Sequence, residues 1–126
     1  MDLGDKTVLV VEDETLVLAG LTMILEAWGL TVLGAEDMDQ VMARLEEGRP
    51  DLILSDLRLR GGLSGFDVVE RVRSRVGDDL PAIILTGETG KAELEEGRRR
   101  NLSFMHKPVL PDDLRRAVTG GLASVC

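Results

Sequence analysis

Five short apolar runs constrain the fold of this chain more than any other feature: TVLVV (7–11), TVLGA (31–35), LILS (52–55), AIILT (82–86) and LSFMH (102–106). Four of them are rich in Val, Ile or Leu instead of alternating cleanly, which is the pattern of strands buried on both faces of a parallel sheet. Helical stripes separate the runs. Val17, Leu21, Ile24, Leu25 and Trp28 recur at helical spacing and stop at Gly29. Met38, Val41, Met42 and Leu45 form a second stripe closed by Gly48 and Pro50, and Val68, Val69, Val72 and Val76 a third stopped by Gly77. Pro111 opens the last helix with Asp112 and Asp113 at its positive end. Leu114, Ala117, Val118, Leu122 and Val125 are its apolar face, and Gly120 and Gly121 loosen its final turns. The fourth helix, 89–101, offers only Ala92 and Leu94 to a core and is interrupted by Gly97, so it is expected to be the least firmly held element. Strand-helix units recur about every 25 residues, and a barrel would need eight of them. The expected architecture is a three-layer, doubly wound α/β domain on a five-stranded parallel sheet, with residues 1–126 as a single domain.

Charge narrows the function. A formal net charge of −8 on 126 residues argues against direct nucleic-acid binding, which needs clustered Lys and Arg in excess. The one basic cluster, Arg98 to Arg100, follows Glu95 and Glu96, so Glu95–Arg99 and Glu96–Arg100 read as pairs on a solvated helix face. Cys126 stands alone, which suggests neither a disulfide framework nor a catalytic thiol. The start MDLGDKTV lacks a signal-peptide pattern and no run reaches the length of a membrane span, so a cytoplasmic setting without membrane contact is expected.

The strand ends carry the chemistry. In an open parallel sheet of order 2-1-3-4-5, ligands bind beyond the carboxyl ends of the strands, between strands one and three. Strand one runs into Glu12, Asp13 and Glu14, and strand three into Asp56. Two carboxylates about 5 Å apart repel by about 3 kcal/mol at an effective dielectric near 20. A hard divalent cation offsets that repulsion, and few protein oxygens completed by water and phosphate describe a Mg²⁺ site, with a phosphoryl group as its partner. Thr86 ends strand four with a hydroxyl donor, and Lys107 follows strand five with a point charge suited to a phosphate oxygen. Asp56 is then placed as a phosphoryl acceptor, with Lys107 and Thr86 serving the transferred group. Each residue alone reads as an ordinary cap or turn residue; the weight lies in the set sharing one edge of the sheet.

VVEDE, LILSDLRL, IILTG and FMHKPV, in that order, resemble the receiver domain of two-component response regulators over nearly the whole chain. The resemblance implies a flavodoxin-like receiver fold. It implies that Asp56 takes a phosphoryl group from a histidine kinase or a histidine phosphotransfer protein. Mg²⁺, with Mn²⁺ able to substitute, would be held by Asp13, Asp56 and the backbone carbonyl of Arg58, with Glu12 acting through water. Lys107 would pair with Asp56 at rest. Thr86 and Phe104 would form the switch that rearranges the fourth and fifth helical faces, through which homodimers are common, and the Lys107–Pro108 bond would be cis. The run HKPVLPDDLRR resembles receivers of hybrid histidine kinases, so a receiver excised from a longer protein is one expectation, and a stand-alone regulator or phosphorelay intermediate another.

Two departures stand out. Arg60 occupies the place of a usual proline four residues after the acceptor, and Ser64 that of a usual glycine, which implies a loop one residue longer and more flexible. Arg58 and Glu88 are expected to overhang the site and, as a salt bridge, to lengthen the phosphoaspartate lifetime. A haloacid-dehalogenase-type phosphatase would need a second Asp where Arg58 stands, and a flavodoxin-like electron carrier a hydroxyl-rich loop in place of ETLVLAG. LTGETGKA imitates a nucleotide loop but lacks its first glycine and its terminal Ser or Thr, and His106 reads as an incidental strand residue. A pseudo-receiver acting only through protein contacts is the remaining alternative.

Overall fold

The computed structural model describes residues 3–88 and 90–123. Strands β1 (Thr7–Val11), β2 (Thr31–Ala35), β3 (Leu52–Asp56), β4 (Ala82–Thr86) and β5 (Ser103–His106) alternate with helices α1 (Thr15–Ala27), α2 (Met38–Glu47), α3 (Gly65–Val76), α4 (Lys91–Arg99) and α5 (Pro111–Ala123). The five strands pair in parallel in the order β2-β1-β3-β4-β5. Chain order reverses at β1, so β1 and β3 are neighbours and their carboxyl ends share the switch point.

Pleating sorts the apolar runs between two cores. Val8, Val10, Leu52, Leu54, Ile83 and Leu85 point to the side of α1 and α5, where Leu21, Leu25, Leu114, Val118 and Leu122 meet them. Leu9, Val11, Ile53 and Ile84 point to the other side and pack with Val41 of α2 and Val68, Val69 and Val72 of α3. Every residue of β3 and β4 is buried, as the continuous apolar runs require.

Several boundaries differ from the sequence reading. β3 runs one residue further, so Asp56 is itself a strand residue, its backbone in register with Leu85. β5 starts at Ser103, because Asn101 adopts φ 58° and the Leu102 N–H donates to the Gly97 carbonyl at 2.8 Å, closing α4 with a Schellman turn. In α1 the stripe is rotated: Val17 is exposed, and Leu18 packs toward the core with Leu21 and Leu25. Arg99 pairs with Glu96 and not with Glu95, while Arg100 pairs with Glu96 at 2.8 Å and with Glu70 of α3 at 3.0 Å. Thr89, Val125 and Cys126 lie outside the described residues.

α4 buries only Gly97, in keeping with its polar sequence. That glycine is not a mere interruption. A Cβ on it would stand 2.2 Å from the Phe104 ring, so its bare backbone is what lets Phe104 pack under the helix, edge-on to Phe66 at 6.2 Å.

Candidate functional site

β3 carries Asp56 to the sheet edge, and the loop that follows is stapled, not loose. The Gly65 N–H donates to the Leu57 carbonyl at 2.8 Å and the Leu59 N–H to the Leu63 carbonyl at 2.9 Å, with Arg58 and Ser64 paired between them. The tip is a short turn, Arg60–Gly62, in which Gly61 and Gly62 take φ 71° and 75°, a region where side chains are strained. The added residue in the loop moves the required glycine by one. A Cβ on Gly65 would meet the Asp56 carbonyl oxygen at 2.6 Å and Ile84 Cδ1 at 2.9 Å. Ser64, freed from that role, caps α3 by accepting from the Asp67 N–H at 3.2 Å, while Asp67 accepts from the Ser64 N–H at 3.1 Å.

The acids after β1 and β3 converge as the topology requires. One carboxylate oxygen from each of Glu12, Asp13 and Asp56 lies within 4.8 Å of the others. Lys107, at the end of β5 and followed by a cis bond to Pro108, places Nζ 2.9 Å from Asp56 Oδ1 and 3.8 Å from Glu12 Oε2. Asp13 Oδ2 accepts the backbone N–H of Arg60 at 2.7 Å. Glu12 is 1% exposed, and neither of its carboxylate oxygens has a hydrogen-bond partner among the described residues.

These positions show in the proton affinities. Burial, and then the neighbouring Asp56 charge, push the Glu12 carboxyl up to about 7, against the pull of Lys107. Burial alone would lower the Lys107 ammonium, yet its hydrogen bond to Asp56 and the charges of Asp56 and Glu12 raise it on balance. The cluster thus combines a buried carboxylate without a hydrogen-bond partner among the described residues with an ammonium held against Asp56. That donor set of hard oxygens fits a divalent cation.

A cavity of about 410 Å³ opens over Asp56, lined by Leu57, Arg58, Thr86, Gly87, Glu88 and Lys107. Thr86 is buried and its hydroxyl is turned forward along the chain, donating to the Glu88 carbonyl at 2.8 Å and accepting from the Glu88 N–H at 3.2 Å. Phe104 sits at the far end of β5 from Lys107, half-buried beneath α4. The expected Arg58–Glu88 salt bridge is corrected by the structure. Both residues line the cavity, but Arg58 Nη2 pairs with Glu93 Oε2, in the first turn of α4, at 3.3 Å. Glu93 was not singled out from the sequence, although its spacing from Gly90 is that of a helix-capping acid: its Oε1 accepts the Gly90 N–H at 2.9 Å.

A doubly wound sheet with carboxylates at its β1/β3 switch point, a hydroxyl after β4 and a lysine after β5 is the arrangement of a phosphoacceptor receiver. Residues 8–119 match the model of the response regulator receiver domain, and the chain belongs to that family. It is 36% identical over 115 residues to the acid tolerance regulatory protein ActR of Rhizobium meliloti, covering 90% of this chain and 58% of that protein. Against the phosphate regulon transcriptional regulatory protein PhoB of Escherichia coli the identity is also 36%, over 86% of this chain and 48% of the relative. The chain therefore spans about half the length of these curated relatives. Among solved structures, the chemotaxis protein CheY4 of Vibrio cholerae superposes with a TM-score of 0.85 at 27% identity, over 93% of this chain and 98% of that one. No helix among the described residues is long and apolar enough to cross a membrane.

Proposed function

We propose that the chain is a signalling switch that takes a phosphoryl group onto Asp56 from the phosphohistidine of a histidine kinase or histidine phosphotransfer protein. An Asp56 carboxylate oxygen attacks phosphorus, the bond from phosphorus to the histidine nitrogen breaks, and the electron pair leaves on the imidazole. The observation that carries this reading is the ion pair of Lys107 with Asp56 at 2.9 Å inside the acidic cluster. Lys107 holds the acceptor carboxylate before transfer and offers the same ammonium to a phosphoryl oxygen afterwards. The Thr86 hydroxyl, given to Glu88 in this structure, is free to exchange that partner for the phosphoryl group.

Asp13, Asp56 and the Arg58 carbonyl are the groups that would hold Mg²⁺ or Mn²⁺, with Glu12 acting through water; the Arg58 carbonyl accepts neither of the loop's stapling bonds. Such a cation supplies charge neutralisation for the transferring oxygens. Arg58 and Glu88, both exposed and lining the cavity, screen Asp56 from attacking water and so tune the phosphoaspartate lifetime. Movement of Thr86 would let Phe104 turn inward and alter the surface formed by α4 and α5, a face suited to homodimerisation. A kinase partner places the chain in the cytoplasm, and the net charge of −8 leaves any DNA contact to an attached output segment such as the relatives' names suggest. A haloacid-dehalogenase-type phosphatase is disfavoured by Arg58 in the place of its second aspartate.

The direct test is incubation with acetyl phosphate and Mg²⁺ followed by intact mass. One phosphoryl group should add to the native chain and none to Asp56→Asn. Equal labelling of the two would remove Asp56 as acceptor.

A further inference from the structure

The three clustered carboxylates are not balanced alike. Asp56 has Lys107, Glu12 has no hydrogen-bond partner among the described residues, and Asp13 has Arg60. Arg60 touches Asp13 twice: its backbone N–H donates to Oδ2 at 2.7 Å, and its guanidinium Nε stands 3.9 Å from the same oxygen. A proline at this position would have no N–H to give and no charge to add.

The loop holds this contact in place. Leu57 and Leu59 are buried, the backbone bonds from the Gly65 N–H to the Leu57 carbonyl and from the Leu59 N–H to the Leu63 carbonyl close its base, and the glycine pair turns the tip so that Arg60 faces the β1 end. Asp13 reaches it from an element 47 residues away in sequence. The acid's side chain is 14% exposed, whereas that of Arg60 is 78% exposed. The guanidinium is therefore solvated and displaceable, while the N–H is fixed.

We propose that Arg60 is a positioning residue that sets the strength of divalent-cation binding: its N–H orients the Asp13 carboxylate, and its guanidinium competes with the cation for that carboxylate's charge. This deepens the reading of the acidic cluster given above and rests on it. A cation entering the cluster must share Asp13 with a positive charge already there, so the site binds more weakly than its three carboxylates alone would allow. The two contributions are separable, because trimming the side chain leaves the N–H intact.

Calorimetric titration of Mg²⁺ and Mn²⁺ into the unphosphorylated protein tests this without reference to phosphoryl transfer. At low ionic strength Arg60→Ala should bind either cation about three- to tenfold more tightly than the native chain, and the gain should shrink as salt screens the guanidinium. Arg60→Lys, which keeps the charge, should restore affinity close to native. Arg60→Pro, which loses the N–H as well, should bind more weakly than Arg60→Ala. Equal affinities of native and Arg60→Ala at both salt concentrations, or a weaker Arg60→Ala, would overturn the proposal while leaving acetyl phosphate labelling of Asp56 intact. A native chain that neither binds the cations nor gains mass with acetyl phosphate would overturn the acidic-cluster reading, and this proposal with it.

Discussion

A methyl group on Gly65 would have to share space with the carbonyl oxygen of Asp56, the residue whose position matters most to the site. Backbone on one side and the Ile84 side chain on the other leave no direction of relief, so Gly65→Ala should cost about 2–3 kcal/mol of stability, as overpacking of a tight interior does. Urea unfolding checks this, with Gly87→Ala, which meets nothing within 4 Å, as the comparison. Glu12 makes a pH-dependent prediction. Its carboxyl titrates near its ordinary 4.5 in the unfolded chain and about 7 in the fold, so the native state binds that proton more tightly. The resulting stabilisation is full below about 4.5 and is lost as pH rises through about 7. The metal-free protein in EDTA should therefore lose about 2–3 kcal/mol between about pH 5 and about pH 8, and Glu12→Gln should flatten that decline. An identical slope in the variant would show that the carboxyl is not the titrating group. Asp56, Lys107, Thr86 and Glu12 were all legible in the sequence, since an acid, hydroxyl or lysine ending an apolar run lies at the sheet edge by topology. Arg60 and Glu93 were not assigned these contacts, because a loop's shape decides what its tip and flanks touch.

At the scale of elements, α4 is held at its two ends by different means. Its first turn depends on Glu93, which caps Gly90 and receives Arg58. Its last turn is clamped by Arg73 of α3, whose guanidinium donates to the carbonyls of Arg100 and Asn101 and, through Nε and Nη2, to that of Leu80 at 2.9 and 2.7 Å. The middle rests on the fit of Gly97 over Phe104. Gly97→Ala should gain up to about 1 kcal/mol in helix propensity yet lose more to the ring, a net destabilisation of about 1–2 kcal/mol. In a Phe104→Leu background the same change should become neutral or stabilising, and a double-mutant cycle measures the difference. Additive effects would mean that the ring and the helix are not in competition for that space. The sparse apolar face of this helix was legible in its composition. The reason for its glycine was not, since nothing near position 97 in the chain announces an aromatic ring arriving from the next strand.

Across the whole molecule, the sheet separates two apolar cores, and β1, β3 and β4 lie inside both. Their amides should exchange with solvent only through global unfolding, whereas those of α4, which buries a single glycine, should exchange through local opening. Hydrogen exchange followed by mass spectrometry would show two classes, and equal protection of α4 and β3 would contradict the picture of one weakly held helix on a firm sheet. The sequence by itself determined the alternation of elements, the parallel sheet and the edge at which its acids and lysine gather. Those follow from hydrophobic period and from a connection rule that is local and directional. Only the tertiary structure decided which cations meet the other carboxylates: Arg60 on Asp13 and Arg58 on Glu93. Such pairings depend on a few ångströms of loop path and on side-chain reach, and residues brought together from distant parts of a chain carry no local pattern that foretells them.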